Sequence, residues 1–155
     1  MKVSRLILTV AALLTTAGLP ADACTCVRNN NWTIKDELNS VSLAVKGKVF
    51  SVTDYRDSES AWPQKLVKLV IEKKYKSPLN TPDTVSIIMG QDGATCGYGF
   101  KLGKEYIVYA TNWEPKNTIS KATAVNPPGM FYTSICRLTK ESNQKELAQL
   151  NRLVH

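Results

Sequence analysis

The chain is predicted to be mainly β: a small, five-stranded, closed or partly closed barrel such as an OB-fold, with a short helix near its start and another at its end. Three observations carry that expectation. Five short runs are rich in β-branched and aromatic residues, turn signals separate them, and helical patterning is confined to the two ends. No internal repeat or low-complexity tract appears.

Taken in order, the first segment is expected to be removed. Lys2 and Arg5 form a positive n-region, residues 6–14 an apolar h-region, and Ala21 and Ala23 the small pair that signal peptidase reads, so residues 1–23 are expected to be a signal peptide cut after Ala23. Thr15, Thr16, Gly18, Pro20 and Asp22 interrupt the apolar stretch well before the ~20 residues a spanning helix needs, so no transmembrane segment is expected. A lipoprotein signal, which would acylate Cys24, is the rival reading, but Ala21 and Asp22 fit a lipobox poorly.

In the remaining domain, residues 24–155, Thr33 is placed to cap a helix over about 34–40, with Asp36 and Glu37 favourable in its first turn. A strand is expected over 41–52, with Gly47 where it bulges or bends, and a polar loop over 51–64. Residues 64–76 form the next strand, stopped by Pro78 and Pro82, and 84–89 the third. Gln91-Asp92-Gly93 reads as a turn, 104–111 as a strand built on Tyr106, Ile107, Val108 and Tyr109, and 119–125 as a weaker one closed by Pro127-Pro128-Gly129. Leu147, Leu150 and Leu153 recur at helical spacing after Thr139 and Ser142, either of which could cap that helix.

Removing 23 of 155 residues leaves 132, enough for one domain with an adequate core, which is expected to be a monomer. The net charge of +7 falls to +6, since Lys2 and Arg5 leave together with Asp22. A basic exported protein can associate with anionic polysaccharide or membrane surfaces, although solubility explains the same charge. Cys24, Cys26, Cys96 and Cys136 all lie in the exported part, and an even count in an oxidising compartment points to two disulfides, with three pairings open. Their spacing is not that of a zinc ribbon and His155 is the sole histidine, so the chain is expected to hold no metal or other cofactor of its own.

An enzyme is not expected. The chain has no HExxH, no nucleophile with an internal histidine and no phosphate loop, and Asp54, Asp57, Glu59 and Asp92 sit in loops without a recognisable pairing. Trp32, Trp62 and Trp113 read as packing or rim residues, and export argues against a nucleic-acid partner.

The chemistry concentrates in Cys24-Thr25-Cys26-Val27. In an extended segment Cys24 and Cys26 face one way and Thr25 the other, so bonding both sulfurs to the domain projects Thr25 outward. Two such bonds would each stabilise by roughly 4–5 kcal/mol in the chain-entropy model and would pin an end that otherwise frays. Cleavage after Ala23 would also leave Cys24 with a free α-amino group. Such an amine and the carbonyl oxygen of its own residue can close a five-membered chelate on Zn²⁺. Its pKa near ~7.7–8.0 makes the neutral, ligating form accessible at neutral pH.

Cys24-Thr25-Cys26-Val27 at a mature N-terminus resembles the opening of the tissue inhibitors of metalloproteinases. Cys96-Gly97-Tyr98-Gly99-Phe100, then Gly103 and Tyr106-Ile107-Val108-Tyr109-Ala110, is similar to the Cys-Gly-Tyr-Phe segment and following strand of those inhibitors and of netrin-like domains generally. Ser134-Ile135-Cys136 resembles their later cysteine, and residues 67–76, ending in Lys-x-Tyr-Lys, their second strand. Most of the mature chain is covered; only the terminal motif is specific to inhibition.

The resemblance implies an OB-fold, netrin-like barrel with bonds Cys24–Cys96 and Cys26–Cys136. It further implies that the amine and carbonyl of Cys24 chelate the catalytic zinc of a target metalloproteinase, displacing its water, while Thr25 enters the S1′ pocket. Cys26 and Val27 would continue along the cleft, with Ala94 and Thr95 as secondary contacts. The family's third bond has no counterpart, since no cysteine lies between Val27 and Thr95, and the resemblance is to the N-terminal inhibitory domain alone. The alternative function is a secreted netrin-like module that inhibits nothing and binds a protein or a polysaccharide, for instance through Lys65, Lys68, Lys73, Lys74 and Lys76; those lysines equally read as a solvated strand face.

Overall fold

The computed structural model describes residues 24–27, 31–56, 62–113 and 129–154. The expected signal peptide and the weak strand at 119–125 lie outside these residues, as does His155.

The first helix, α1 (Ile34–Ser40), falls where its cap predicts. Thr33 Oγ1 accepts from the Asp36 amide at 3.2 Å while Asp36 Oδ2 accepts from the Thr33 amide at 2.9 Å, a reciprocal capping box. Six strands follow among the described residues: β1 (Leu43–Tyr55), β2 (Gln64–Lys76), β3 (Thr84–Gly90), β4 (Glu105–Asn112), β5 (Met130–Tyr132) and β6 (Lys140–Glu141). A 3-10 turn at Gly93–Thr95 links β3 to β4, and helix α2 (Gln144–Val154) closes the chain.

Three expectations need correction. β1 runs to Tyr55 rather than stopping at 52, because its polar outer half remains paired with β2 from Ser51↔Lys68 to Tyr55↔Gln64. Among the described residues six strands, not five, share one mixed sheet, because β5 and β6 are too short to show an alternating pattern in sequence. The cap of α2 is Asn143, whose side-chain oxygen accepts from the Glu146 amide at 3.0 Å; Thr139 is buried against β4, bonded to Tyr109, and cannot serve.

The ladder runs β1-β2-β3-β5-β4, and a further β1–β4 pairing returns it to its start, so five strands form a ring with β6 added beside β4. All pairings are antiparallel except β3 with β5. The register of β1 on β2 slips at Gly47, where an added Cβ would stand 2.7 Å from the Val70 carbonyl oxygen; the expected bulge is there, and only glycine fits it.

Period-2 alternation divides the core. Leu43, Val45, Leu69, Ile87, Val108 and Phe131 belong to a cluster drawn from all five strands of the ring. Their neighbours Ala44, Ile107 and Tyr109 turn to the opposite face and meet Leu38 of α1, Val41 just after it, Tyr75 of β2 and Leu150 of α2. Each helix thus contributes an apolar stripe to the outside of the sheet.

Candidate functional site

The extended segment at residues 24–27 is cross-linked at both of its cysteines, Cys24 to Cys96 and Cys26 to Cys136, across 72 and 110 residues of chain. Cα–Cα distances of 5.6 and 5.2 Å are ordinary for disulfides. Between the two anchors Thr25 is exposed, and Val27 beyond them is fully so. The Ala94 carbonyl oxygen lies 3.8 Å from Cys24 Sγ; a disulfide sulfur has no proton to donate, so this is simple contact, but it sets Ala94 against the terminus.

The loop that receives Cys24 is held by its own backbone. Asp92 caps the 3-10 turn, Oδ1 accepting from the Thr95 amide at 3.1 Å while the Asp92 amide donates to Thr95 Oγ1 at 3.1 Å. The Gly97 amide then donates to the Asp92 carbonyl at 2.6 Å, and Cys96 takes a left-handed φ of 62° to make that reversal. The return is so tight that an added Cβ on Gly97 would lie 2.0 Å from the Gly90 carbonyl oxygen, and one on Gly90 1.8 Å from that of Thr95. Both glycines are required by close approach.

Cys136 is fixed from the other side. The Ile135 amide donates to the Cys96 carbonyl at 3.0 Å, tying the two cysteine-bearing loops together. Thr133 Oγ1 donates to the Tyr109 carbonyl at 2.7 Å, and the Tyr109 amide donates to Thr139 Oγ1 at 3.0 Å, so two buried threonines clamp both ends of the 133–139 segment onto β4. Glu37 of α1, 1% exposed, accepts from the Leu138 amide at 3.1 Å and from Trp32 Nε1 at 2.7 Å, with Arg137 beside it. One buried carboxylate therefore holds the chain shortly after Cys26 and shortly after Cys136. The Tyr109 hydroxyl donates at 2.6 Å to Glu146 of α2, itself paired with Lys140. Burial raises the Tyr109 pKa well above its ordinary value, with nearby Glu37 adding to the effect.

The residues singled out in sequence, Cys24, Thr25, Cys26, Val27, Ala94, Thr95, Cys96 and Cys136, accordingly share one end of the molecule. The lysines proposed for polysaccharide are differently disposed: Lys73 donates to Asn151, Lys74 to Asp83 and the Thr81 carbonyl, and Lys76 to the Leu38 carbonyl. Asp92 serves as a cap, and Asp57 and Glu59 lie outside the described residues. Sequence reasoning missed Glu37, Thr133 and Thr139 as supports, because a buried polar residue is recognisable only from partners distant in sequence; the Asp92-x-x-Thr95 spacing was the one local signal available.

Among the described residues no group of three or more His, Cys, Asp or Glu could hold a metal ion, and no helix is long and apolar enough to cross a membrane. No protein-family model and no curated protein matches this chain.

Proposed function

We propose that the protein is a secreted inhibitor of zinc metalloproteinases, not itself an enzyme, and that its five-strand ring is an OB-fold barrel of the netrin-like kind. The observation that carries this reading is the short extended segment Cys24–Val27, anchored through both cysteines to loops that are themselves braced, with Thr25 exposed between the anchors. Rigidity matters because a ligand already ordered in its bound form avoids the entropic cost of ordering on association.

Cleavage after Ala23 would place a free amine on the first anchored residue. The amine nitrogen and the Cys24 carbonyl oxygen, both acceptable to Zn²⁺, would then occupy the open position of a catalytic zinc in the target protease. They would displace the water that such an enzyme activates as its nucleophile. Thr25 would fill the adjoining specificity pocket, while Cys26, Val27, Ala94 and Thr95 line the cleft. The zinc would belong to the partner.

The test begins with the mass and N-terminal sequence of the exported protein, expected to start at Cys24. Inhibition of a panel of zinc endopeptidases is then compared with that of a version bearing one additional N-terminal alanine. The extra residue converts the amine to an amide without a free lone pair and moves the chelate away, so potency is expected to fall by roughly 100-fold or more. Equal potency, or an acylated Cys24 in an active inhibitor, removes the chelation mechanism.

A further inference from the structure

The outer face of β1 and β2 is covered only in part. Lys76 Nζ reaches the Leu38 carbonyl at 2.6 Å and Lys73 Nζ reaches Asn151 Oδ1 at 2.7 Å, tying that face to both helices. Further along, the same two strands carry a groove of about 420 Å³ lined by Phe50, Val70 and Leu102, with Lys48 and Glu72 beside them. Phe50 is 48% exposed, Val70 45% and Leu102 68%.

The exposure is built into the strand geometry. The β1–β2 register passes from Val49↔Leu69 directly to Ser51↔Lys68, so Phe50 is the extra residue of a bulge, a device that re-aims a side chain. Val70 sits mid-ladder opposite Lys48. The Gly103 amide donates to the Val49 carbonyl at 2.8 Å and the Val49 amide to the Lys104 carbonyl at 3.0 Å, which holds the turn bearing Leu102 against the bulge.

The surrounding charge is unequal. Lys46 answers both Glu72 and Glu105, and Lys104 answers Glu141. The side-chain ammonium groups of Lys48, Lys68 and Lys101 make no hydrogen bond or ion pair among the described residues, although the Lys101 backbone amide donates to the Tyr106 hydroxyl at 2.9 Å. They flank the apolar residues: Lys48 lines the groove, Lys68 lies two residues before Val70 on the same face of β2, and Lys101 precedes Leu102.

We infer that this face docks the protein onto an anionic lipid bilayer. Phe50 and Leu102 enter the boundary between headgroups and acyl chains, and the three lysines meet the anionic headgroups. A symmetric second copy is a poorer occupant, since a two-fold contact would set the same lysines against one another. A polysaccharide would leave the three apolar side chains without a partner. The inference is independent of protease inhibition.

Co-sedimentation tests it, using mature protein whose mass excludes a lipid on Cys24. Phosphatidylcholine vesicles containing phosphatidylglycerol are expected to bind it, pure phosphatidylcholine vesicles are not, and raised salt should release it. Phe50→Ser with Leu102→Ser, and separately Lys48→Gln with Lys101→Gln, should each reduce binding by about tenfold or more while melting stays near that of the parent. Indifference of the wild type to phosphatidylglycerol, undiminished binding by either variant, concentration-dependent dimerisation that needs Phe50, or heparin retention without vesicle binding would each overturn it.

Discussion

Thr25 stands exposed between two cross-linked neighbours, an arrangement that separates recognition from folding. Thr25→Gly is expected to leave stability within about 0.5 kcal/mol, as at other surface positions. On the proposed mechanism the same change should weaken protease inhibition by roughly 5- to 100-fold, the range of a central interface contact, and alter selectivity between targets. Paired melting and inhibition curves check both halves; a large fall in melting temperature would show the side chain to be structural. Gly97 is the opposite case. Its α-hydrogen faces the Gly90 carbonyl so closely that Gly97→Ala must shift backbone, and about 1–3 kcal/mol or more should be lost, along with the placement of Cys96. Gly99, two residues on, has nothing within 4 Å of an added Cβ, so Gly99→Ala should be near neutral in the same denaturation assay. Comparable effects at both positions would contradict the close approach. Cys24 and Thr25 were legible because a cleavage motif and alternating side-chain direction are local properties, whereas Gly97's constraint depends on Gly90, across the turn.

Elements were legible where their ends carry local chemistry. Thr33 and Asp36 lie three residues apart and define the start of α1 by themselves. Gln64–Lys76 is bounded by a loop and by Pro78, and β2 occupies that span. The other terminal helix shows how tertiary context overrides a local signal. Thr139 has a capping side chain at a plausible distance from the leucine pattern, but its hydroxyl is spent on Tyr109, and Asn143 caps α2 instead. Asn143→Ala should therefore cost about 1 kcal/mol, while Ser142→Ala should cost little. Equilibrium denaturation of the two variants decides between the caps, and the reverse ranking would restore the sequence-based assignment. β5 and β6 had no such markers. With three and two residues they gain their identity only from β3 and β4, which they join.

At the scale of the whole molecule, a mainly β chain with terminal helices follows from patterning, but closure of the ring does not. It depends on β1 reaching β4 and on the parallel contact of β3 with β5, neither of which has a local signature. The charge state that this closed arrangement enforces gives a pH signature with a definite sign. Asp36 has its pKa lowered, first by the Thr33 hydroxyl, and Glu105 by Lys46; what they contribute is present at neutral pH and lost as pH falls through their lowered values. Both groups lie at the surface, so the acid-side loss should be shallow. Tyr109, Tyr75, Tyr98 and Tyr132 are all raised, chiefly by burial, and Lys46 is raised by Glu105 and Glu72. Above about pH 10 the unfolded chain releases those protons while the folded chain retains them. Their contribution is therefore complete below the ordinary values and disappears as pH climbs toward the raised ones. The melting temperature should accordingly be level across neutral pH, decline gently in acid and fall more steeply in alkali. Phenolate absorbance followed beside circular dichroism provides the discriminating measurement: part of the tyrosine signal should appear only as structure is lost. A phenolate signal that develops fully near pH 10 with the fold intact would mean that the rings around Tyr109 are open to water, and the packing between sheet and helices described above would be wrong.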